Sequence, residues 1–399
     1  MPTFSPIHHS SFTVHHYSKR RILLVAGEAS GDAHGADLVQ TLKQHAPHIE
    51  VFGVGGPALR AAGMQTLVDT ATIAGMGLIE ARDKVGNLIR TYRQLTAILR
   101  TQPPDLLILI DFPEFNLRLA KIAKQNGVRV FYYISPQVWA WRKRRVYTIA
   151  KRVDQLAVVF PFEQAFYAAH GCSAEFVGHP LIDRVRPTRS RAETLQQYQL
   201  DPQRQTIALL PGSRTQELRY LLDPLLRAAT NLGNTYQFIL PVASILNRTE
   251  IEKNLSQNLS GPLGPAAIRV VQDDTYNVIH AADLAIVASG TATLETALLE
   301  RPMVIVYRVA PLTYTLARLF VDLPFFGMPN LIAERRVVPE LLQTAVTPDR
   351  IAHEARQLLT NPQAYSVAQE GLREVRRRLG GGGAAERTAA LILNMLEKN

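Results

Sequence analysis

The sequence predicts an α/β protein built from two doubly wound domains, each with a mostly parallel sheet. Short apolar runs alternate with helical segments along most of the chain, as they do in repeated strand–helix–strand units. At 399 residues the chain is long enough to form two domains of ordinary size, each with its own core. Its composition, with 47% hydrophobic and 20% charged residues, is that of a soluble globular protein.

A polar and basic stretch separates the two halves. We place a linker at residues 184–205, after a first domain at 21–183 and before a second domain at 206–360. Residues 1–20 are polar and rich in histidine, lack the apolar core of a secretory signal, and are predicted to form a flexible tail. Residues 361–399 are predicted to be helical, and they could pack back on the first domain.

Each half contains a series of candidate strands. In the first half they lie at 21–27, 51–56, 106–110, 130–136, 156–160 and 176–180, and in the second at 207–210, 236–241, 268–271, 284–288 and 303–307. Helices are predicted from about residue 33, within 72–100, over 356–379 and over 384–397. The turn after the first strand matches neither Gly-x-Gly-x-x-Gly nor a Walker A loop, which argues against classical dinucleotide or ATP binding.

The charge balance predicts an anionic partner. The chain carries 44 Lys and Arg against 34 Asp and Glu, a net charge of +10 at pH 7, and nucleic acid and an anionic membrane surface are both candidates. The single cysteine, Cys172, excludes an internal disulfide framework and a cysteine-based zinc site and suits a reducing compartment. No apolar run approaches the roughly 20 residues that span a bilayer, so we expect a cytoplasmic protein.

A small-residue turn follows the predicted strand 284–288. Ser289, Gly290 and Thr291 form this turn, and Glu295 lies one turn into the helix that follows. Backbone N–H groups at a helix N-terminus favour an anion, glycine lets a phosphate approach, and a carboxylate can accept hydrogen bonds from ribose hydroxyls. The turn therefore indicates a phosphate and ribose site, although an ordinary strand–turn–helix corner has the same kind of sequence.

A second glycine turn has a similar character. The predicted strand 207–210 runs into Gly212, Ser213 and Arg214, so this turn ends in a guanidinium. Together the two turns are typical of a diphosphate held between two loops.

A carboxylate follows the apolar strand 106–110. In open α/β sheets, ligands bind outside the carboxyl ends of the strands, which is where Asp111 is expected. A carboxylate there could act as a general base on a hydroxyl, particularly if apolar neighbours raise its pKa. A turn or a helix cap would use the same residue, and both interpretations remain open at this point.

Two further stretches combine apolar groups with cations. Trp139 and Trp141 precede four consecutive basic residues that begin with Arg142; such a run is usually a solvated face, but it could bind an acidic headgroup, a sugar phosphate or RNA. The amphipathic helix within 72–100 could pack on its own sheet. Alternatively the helix and its apolar entry, which contains Met76, could contact lipid. The apolar stretch 310–333 could similarly belong to the core or to an acyl-chain groove.

Seven motifs resemble those of the lipid-A-disaccharide synthases and occur in the same order. They lie at 25–32, 110–116, 133–142, 178–180, 209–214, 288–295 and 329–332. The resemblance extends from about residue 21 to the C-terminal helices. It implies the GT-B architecture, in which two Rossmann-like domains face a central cleft.

The resemblance also implies a reaction. The family transfers a 2,3-diacylglucosamine unit from UDP to 2,3-diacylglucosamine 1-phosphate (lipid X), which gives a β-1,6-linked disaccharide on the path to lipopolysaccharide. The reaction inverts the anomeric centre and needs no metal or other cofactor. We further expect peripheral association with the anionic cytoplasmic face of the inner membrane and no nucleic-acid partner, with a homodimer as one candidate assembly.

Roles for individual residues follow from the same resemblance. Asp111 matches the acid expected to deprotonate the acceptor 6-hydroxyl, and Glu28 matches the acid of the first turn; either could be the base. The implied UDP and phosphate contacts are Ser213, Arg214, Ser289, Gly290, Thr291, Glu295 and Asn330. The candidates for acceptor or lipid binding are Met76, Trp139, Trp141 and Arg142.

The sequence departs from the family pattern at a few positions. Glu114 stands where Asp is expected, Phe112 replaces a smaller residue, and Gly327 with Met328 replaces a Ser-Leu pair.

Two other interpretations of the function are compatible with the residues. One is an enzyme like the UDP-GlcNAc 2-epimerases or the peptidoglycan glycosyltransferase, which share the architecture. The other is a basic membrane- or RNA-binding protein with a vestigial nucleotide site.

Overall fold

The computed structural model describes residues 20–73, 81–140, 142–243, 249, 251–252, 255, 268–311, 314 and 323–397, with side chains described throughout except at 81–84. The chain divides into two compact units. The first runs up to Ile134 and adds residues 152–155 and the segment from Thr388 onward, and the second comprises residues 135–151 and 156–387. The domain limits expected from composition remain a prediction. No helix among the described residues is both long enough and apolar enough to cross a membrane.

The first sheet has seven strands in the order β3-β2-β1-β4-β5-β6-β7. These strands are β1 Arg21–Ala26, β2 Glu50–Gly55, β3 Gln65–Asp69, β4 Leu106–Ile110, β5 Arg129–Tyr133, β6 Gln155–Val158 and β7 Ala174–Phe176. The helices between and after them are α1 Ala29–His45, α2 Pro57–Ala61, α3 Ala81–Thr101, α4 Pro113–Gln125, α5 Val146–Arg152, α6 Pro161–Ala168, α7 Leu181–Arg184 and α8 Arg191–Gln197.

The second sheet has six strands in the order β10-β9-β8-β11-β12-β13. These strands are β8 Thr206–Leu210, β9 Gln237–Val242, β10 Ile268–Gln272, β11 Leu284–Ala288, β12 Met303–Tyr307 and β13 Glu340–Leu342. Its helices are α9 Thr215–Leu232, α10 Thr275–Ala281, α11 Thr291–Leu298, α12 Met328–Ala333, α13 Pro348–Thr360, α14 Pro362–Arg378 and α15 Ala384–Glu397.

Both sheets follow the doubly wound pattern. Every strand pair with a described register runs parallel, and the central strands β4 and β11 are buried along their whole length. In each sheet the chain proceeds outward in opposite directions from two adjacent central strands, β1 and β4 in the first and β8 and β11 in the second. The predicted fold class is confirmed, and these two switch points are where such sheets bind ligands.

Some predicted elements differ from the structure. The strand predicted at 176–180 ends at Phe176, and the short edge strands β3 and β13 were not expected. The helix predicted over 356–379 is two helices, because Pro362 lacks an N–H and Asn361 caps the second one. The Asn361 Oδ1 accepts hydrogen bonds from the N–H groups of Gln363 and Ala364 at 3.1 and 3.2 Å.

Candidate active site

Two carboxylates lie at the switch point of the first sheet. Strands β1 and β4 are paired in parallel, with Ala26 opposite Ile110. Glu28 follows β1 as the N-cap residue of α1, and Asp111 follows β4 directly. Because the carboxyl ends of parallel strands meet at one edge of a sheet, the two side chains lie near each other at that edge.

The backbone at Asp111 is held in an unusual conformation. Asp111 and the following residue, Phe112, both have positive φ angles, of 47° and 50°, and each such residue costs on the order of 1 kcal/mol. Two buried side chains hold the Asp111 carbonyl, which accepts a 2.7 Å hydrogen bond from Asn116 Nδ2 and another from the Tyr132 hydroxyl. A strained backbone fixed in this way is typical of a functional site.

The Phe112 ring packs against a position that only glycine can occupy. A Cβ added at Gly27 would overlap with the Phe112 side chain, so the ring covers the turn that leads to Glu28. Phe112 also stacks on Phe115, with ring centroids 5.4 Å apart. The large residue at 112 is therefore accommodated by its neighbours, with its ring packed on the Gly27 turn and on Phe115.

Asp111 is the more desolvated of the two carboxylates. Burial raises its pKa above the ordinary value for aspartate, and the negative charge of Glu28 raises the pKa further, while a hydrogen bond from the Phe112 N–H lowers it. Glu28 itself is exposed. A carboxylate with a raised pKa at a ligand-binding edge is suited to accept a proton from a hydroxyl.

A cavity of about 410 Å³ opens at the switch point of the second sheet. It is lined by the two predicted turns and their neighbours, namely Leu210, Gly212, Ser213, Arg214, Glu217, Pro241, Ala243, Thr275, Ala288, Ser289, Gly290, Thr291, Ala292 and Glu295. The structure thus brings six of the seven residues predicted to contact UDP into one cavity. The seventh, Asn330, does not line it.

The turn after β11 presents an open helix N-terminus to the cavity. Gly290 is the N-cap residue of α11 and has no side-chain cap. Its carbonyl accepts the N–H of Thr293 at 3.1 Å, whereas the N–H groups of Thr291 and Ala292 come too early in the helix to have an intrahelical acceptor. A Cβ at Gly290 would meet no other atom, which means that the glycine leaves space in the cavity rather than permitting protein packing. Thr291 is exposed beside it.

Glu295 is oriented by a residue that sequence reasoning missed. The Tyr276 hydroxyl donates a 3.0 Å hydrogen bond to Glu295 Oε1. Burial raises the pKa of the Glu295 carboxyl, while the hydrogen bond from Tyr276 and the charge of Arg184 lower it. Nothing in the local sequence marks Tyr276, since it is 19 residues away from its partner.

The turn after β8 is already occupied by a carboxylate. Glu217 Oε2 accepts hydrogen bonds from the N–H groups of Ser213 and Arg214 at 2.9 and 3.2 Å. These two backbone groups are therefore not open to a phosphate, and only the exposed Ser213 and Arg214 side chains face solvent. Glu217 lies three residues after the N-cap Arg214, the position from which a glutamate side chain can reach back to the backbone N–H of the N-cap residue.

The predicted contact Ser289 has hydrogen bonds within the fold. Ser289 donates its N–H to the Val306 carbonyl at 2.8 Å and its hydroxyl to the Phe326 carbonyl at 3.0 Å, so neither donor is directed to a ligand. The nearby Thr293 is buried, and its hydroxyl donates to the Gly290 carbonyl at 2.7 Å.

Asn330 is also a structural residue. It is fully buried. Its Oδ1 accepts hydrogen bonds from the N–H groups of Val337 and Val338 at 2.7 and 3.0 Å, and its Nδ2 donates to Val338 O at 2.9 Å and Glu340 Oε1 at 2.7 Å. Its amide is satisfied within the fold, and the expectation that it contacts the nucleotide remains a prediction.

The acceptor and lipid candidates have different surroundings. Met76 and Trp141 lie outside the described residues. Trp139 is only 7% exposed, and its indole N–H donates to the buried Glu163 at 2.9 Å, so its ring belongs to the core rather than to a binding surface. Arg142 is exposed and has a positive φ of 58°.

Glu163 is the centre of a buried polar cluster that the sequence did not reveal. Its carboxylate accepts hydrogen bonds from Ser135 Oγ, Trp139 Nε1 and the N–H groups of Val159 and Phe160, at 2.9 to 3.3 Å. Burial raises the pKa of this group to about 7, against the lowering effect of those donors. Glu163 therefore fixes the segment from Ser135 to Trp139.

Sequence comparison agrees with the motifs. A sequence model described as lipid-A-disaccharide synthetase matches residues 22–392. The lipid-A-disaccharide synthase of Geobacter metallireducens is 46% identical over 382 residues, covering 95% of this chain and 98% of that protein. The synthase of Geobacter sulfurreducens is 46% identical over 384 residues, covering 96% and 98%.

Solved structures show the same fold at low sequence identity. A Neisseria meningitidis UDP-GlcNAc 2-epimerase bound to UDP-GlcNAc superimposes with a TM-score of 0.60 at 12% identity, covering 95% of this chain and 100% of that chain. The calicheamicin glycosyltransferase CalG4 gives a TM-score of 0.58 at 14% identity, covering 96% and 99%. These likenesses show the fold alone, whereas the motifs and the sequence relatives distinguish among the enzymes that share it. The chain belongs to the lipid-A-disaccharide synthetase family and is a glycosyltransferase of lipid A biosynthesis.

Proposed function

We propose that the enzyme transfers a 2,3-diacylglucosamine unit from UDP to the 6-hydroxyl of lipid X, with inversion at the anomeric carbon. The observation that carries this proposal is the carboxylate pair at the switch point of the first sheet. Asp111 lies there in a desolvated position beside Glu28, with a raised pKa. A group of this kind is matched to the deprotonation of a sugar hydroxyl.

In the proposed reaction, Asp111 accepts the proton of the acceptor 6-hydroxyl as its oxygen attacks the anomeric carbon of the donor. A carbon–oxygen bond to the acceptor forms, and the bond from the anomeric carbon to the β-phosphate oxygen breaks. The electron pair leaves with UDP. Inversion follows because the attack and the departure take place on opposite faces of the sugar, and the step requires no metal.

The cavity of the second sheet is assigned to the UDP moiety. The open N-terminus of α11 and the adjacent Thr291 hydroxyl favour a phosphate, and Glu295, which lines the same cavity, would accept hydrogen bonds from ribose. The exposed Arg214 guanidinium, which also lines the cavity, would stabilise the negative charge that develops on the departing diphosphate.

UDP release tests the reaction. We expect the wild type to release UDP from UDP-2,3-diacylglucosamine only when lipid X is present, and Asp111→Asn to lower kcat by about 10²-fold or more with little change in donor KM, because only the base is lost. Asp223→Asn is the control, since Asp223 is an exposed acid on α9 that pairs with Arg227. Release without lipid X dependence would reject the proposed reaction, and near-normal activity of Asp111→Asn would transfer the role of base to Glu28.

We further propose that the enzyme associates peripherally with the anionic cytoplasmic face of the inner membrane. Helix α3 buries Leu95 and Leu99 but leaves Val85 and Ile89 56% and 47% exposed. Exposed arginines, including Arg90 on the same part of the helix, lie among them. An apolar edge flanked by cations is suited to an anionic lipid surface, which is also where the proposed acyl-chain substrates reside.

Vesicle sedimentation tests the membrane proposal. We expect the wild type to bind vesicles that contain an anionic phospholipid and to dissociate as salt is raised. A Val85→Ser, Ile89→Ser double variant should bind several-fold more weakly. Val367→Ser is a matched control, because Val367 is 49% exposed on a different helix. Equal binding of the double variant and the control would reject α3 as the contact.

A further inference from the structure

The cavity assigned to UDP contains a negative charge that belongs to the protein itself. Glu217 lies in the first turn of α9 and directs one carboxylate oxygen back onto the N–H groups of Ser213 and Arg214. Hydrogen bonds from two backbone N–H groups are the usual way in which a turn binds an anion. The anion-binding position of this turn is therefore filled by an internal carboxylate.

The glycine of the turn is needed for this arrangement. Gly212 has a φ of +112°, and a Cβ added to it would overlap with the Glu217 carboxylate. Both residues line the cavity. Gly212 and Glu217 thus form a matched pair, in which the missing side chain makes room for the carboxylate.

Other charged and titratable groups face the same carboxylate. The Arg214 guanidinium and Glu295 line the same cavity. Tyr307 approaches from β12, where burial raises the pKa of its phenol and the charge of Glu217 raises that pKa further. One cation and two carboxylates therefore surround the space between the two turns.

The two helix N-termini at this cavity differ in one respect. Gly290 at the start of α11 has no side-chain cap and open space around it, whereas the start of α9 is capped by a charged group. A phosphate can approach the first without displacing protein, but an anion that approaches the second meets a carboxylate. Like charges in such proximity repel each other strongly enough to determine which ligands bind.

We infer that Glu217 is a specificity-determining residue. Its negative charge lets the cavity bind a nucleoside diphosphate but weakens the binding of a nucleoside triphosphate. The inference rests on the proposed function, because it concerns the cavity assigned there to UDP. A diphosphate at the α11 turn leaves the α9 turn to Glu217. A third phosphate that extended toward the α9 turn would meet the carboxylate.

Inhibition by UDP and by UTP tests this inference. The inhibition constants are measured against the UDP-sugar donor, in buffer with a chelator so that neither nucleotide is neutralised by a metal. Glu217→Gln removes the charge but keeps an amide oxygen that can accept the two N–H hydrogen bonds. Asp223→Asn is the control, since it removes one negative charge from the same helix at an exposed position.

The quantity that decides is the ratio of the inhibition constant of UTP to that of UDP. We expect this ratio to exceed one in the wild type, to fall by about fivefold or more in Glu217→Gln, and to stay unchanged in Asp223→Asn. A ratio that is the same in Glu217→Gln and the wild type would overturn the inference while leaving the proposed function intact. A wild type that UDP does not inhibit would overturn both.

A second measurement needs no variant. If charge repulsion causes the discrimination, raising the ionic strength should lower the wild-type ratio, because salt screens the repulsion more effectively for the ligand of higher charge. A ratio that does not change with salt would argue against Glu217 as the origin of the specificity.

Discussion

The hydroxyl of Tyr276 donates a 3.0 Å hydrogen bond to Oε1 of Glu295, in the wall of the cavity of the second sheet. The tyrosine is on α10 and the glutamate on α11, so the contact joins the helices that precede and follow β11 in the chain. One carboxylate oxygen is thereby held by the protein, in a residue that lines the cavity. Tyr276 is a positioning residue for the contact proposed between Glu295 and ribose.

Removal of the Tyr276 hydroxyl should weaken nucleotide binding. We expect Tyr276→Phe to raise the dissociation constant of UDP by about three- to tenfold, because Glu295 loses the hydrogen bond that orients it. Calorimetric titration of UDP measures this change. Tyr147→Phe is the control, since Tyr147 is 58% exposed on a different helix. Equal affinities in the two variants would show that Glu295 is oriented without Tyr276.

The acid limb of the pH–rate profile should report the Asp111–Glu28 pair. Asp111 must be ionised to accept a proton, and burial followed by the charge of Glu28 raises its pKa. The rate should therefore fall as the pH is lowered through this raised pKa. Glu28→Gln removes the neighbouring charge, so the acid limb of kcat/KM should move to lower pH. A limb that stays in place would mean that Glu28 does not influence the essential carboxylate.

Glu163 should make stability depend on pH near neutrality. Its pKa is about 7 in the folded protein, above the ordinary value of 4.5, so the folded state binds the proton more tightly than the unfolded state. The stabilisation from this group is complete below the unfolded pKa and is lost as the pH rises through the folded pKa. The difference corresponds to up to about 3 kcal/mol.

Denaturation in urea at several pH values measures the effect of Glu163. Between about pH 5 and pH 8, the unfolding free energy of the wild type should decrease relative to that of Glu163→Gln, which cannot ionise. Glu370→Gln, at an exposed position, should follow the wild type. Parallel curves for the wild type and Glu163→Gln would show that Glu163 does not titrate in this range.

Substitution of Asn330 should reduce stability rather than nucleotide affinity. Asn330→Ala leaves the buried N–H groups of Val337 and Val338 without their acceptor and removes a donor to Glu340, at a cost of about 2 to 4 kcal/mol. Asn330→Asp keeps an acceptor but places a second carboxylate against Glu340, so it should destabilise at least as much. Urea denaturation and UDP titration separate the two effects. A stable Asn330→Ala variant with weakened UDP binding would instead support the nucleotide contact that the sequence suggested for Asn330.

Several features of the protein could be predicted from the sequence because they depend on neighbouring residues. The bounds of β4 and β11 were predicted to the residue. A short and continuous apolar run within an alternating α/β pattern is typical of a buried parallel strand. Asp111 and the turn at Gly290 followed from the same strands. The carboxyl ends of parallel strands share one edge, which makes the location of a ligand site predictable.

The use of each polar group was determined only by the tertiary structure. Asn330, Ser289 and Trp139 resembled ligand contacts in the sequence, but their hydrogen bonds are to Glu340, Phe326 and Glu163 within the fold. Conversely, Tyr276 had no local signal and lies beside Glu295. A buried polar atom must be paired, and its partner is whichever distant group the folded chain brings within about 3 Å. The sequence by itself determined the central strands and the family, and the packing of distant segments determined which polar side chains are already paired within the fold.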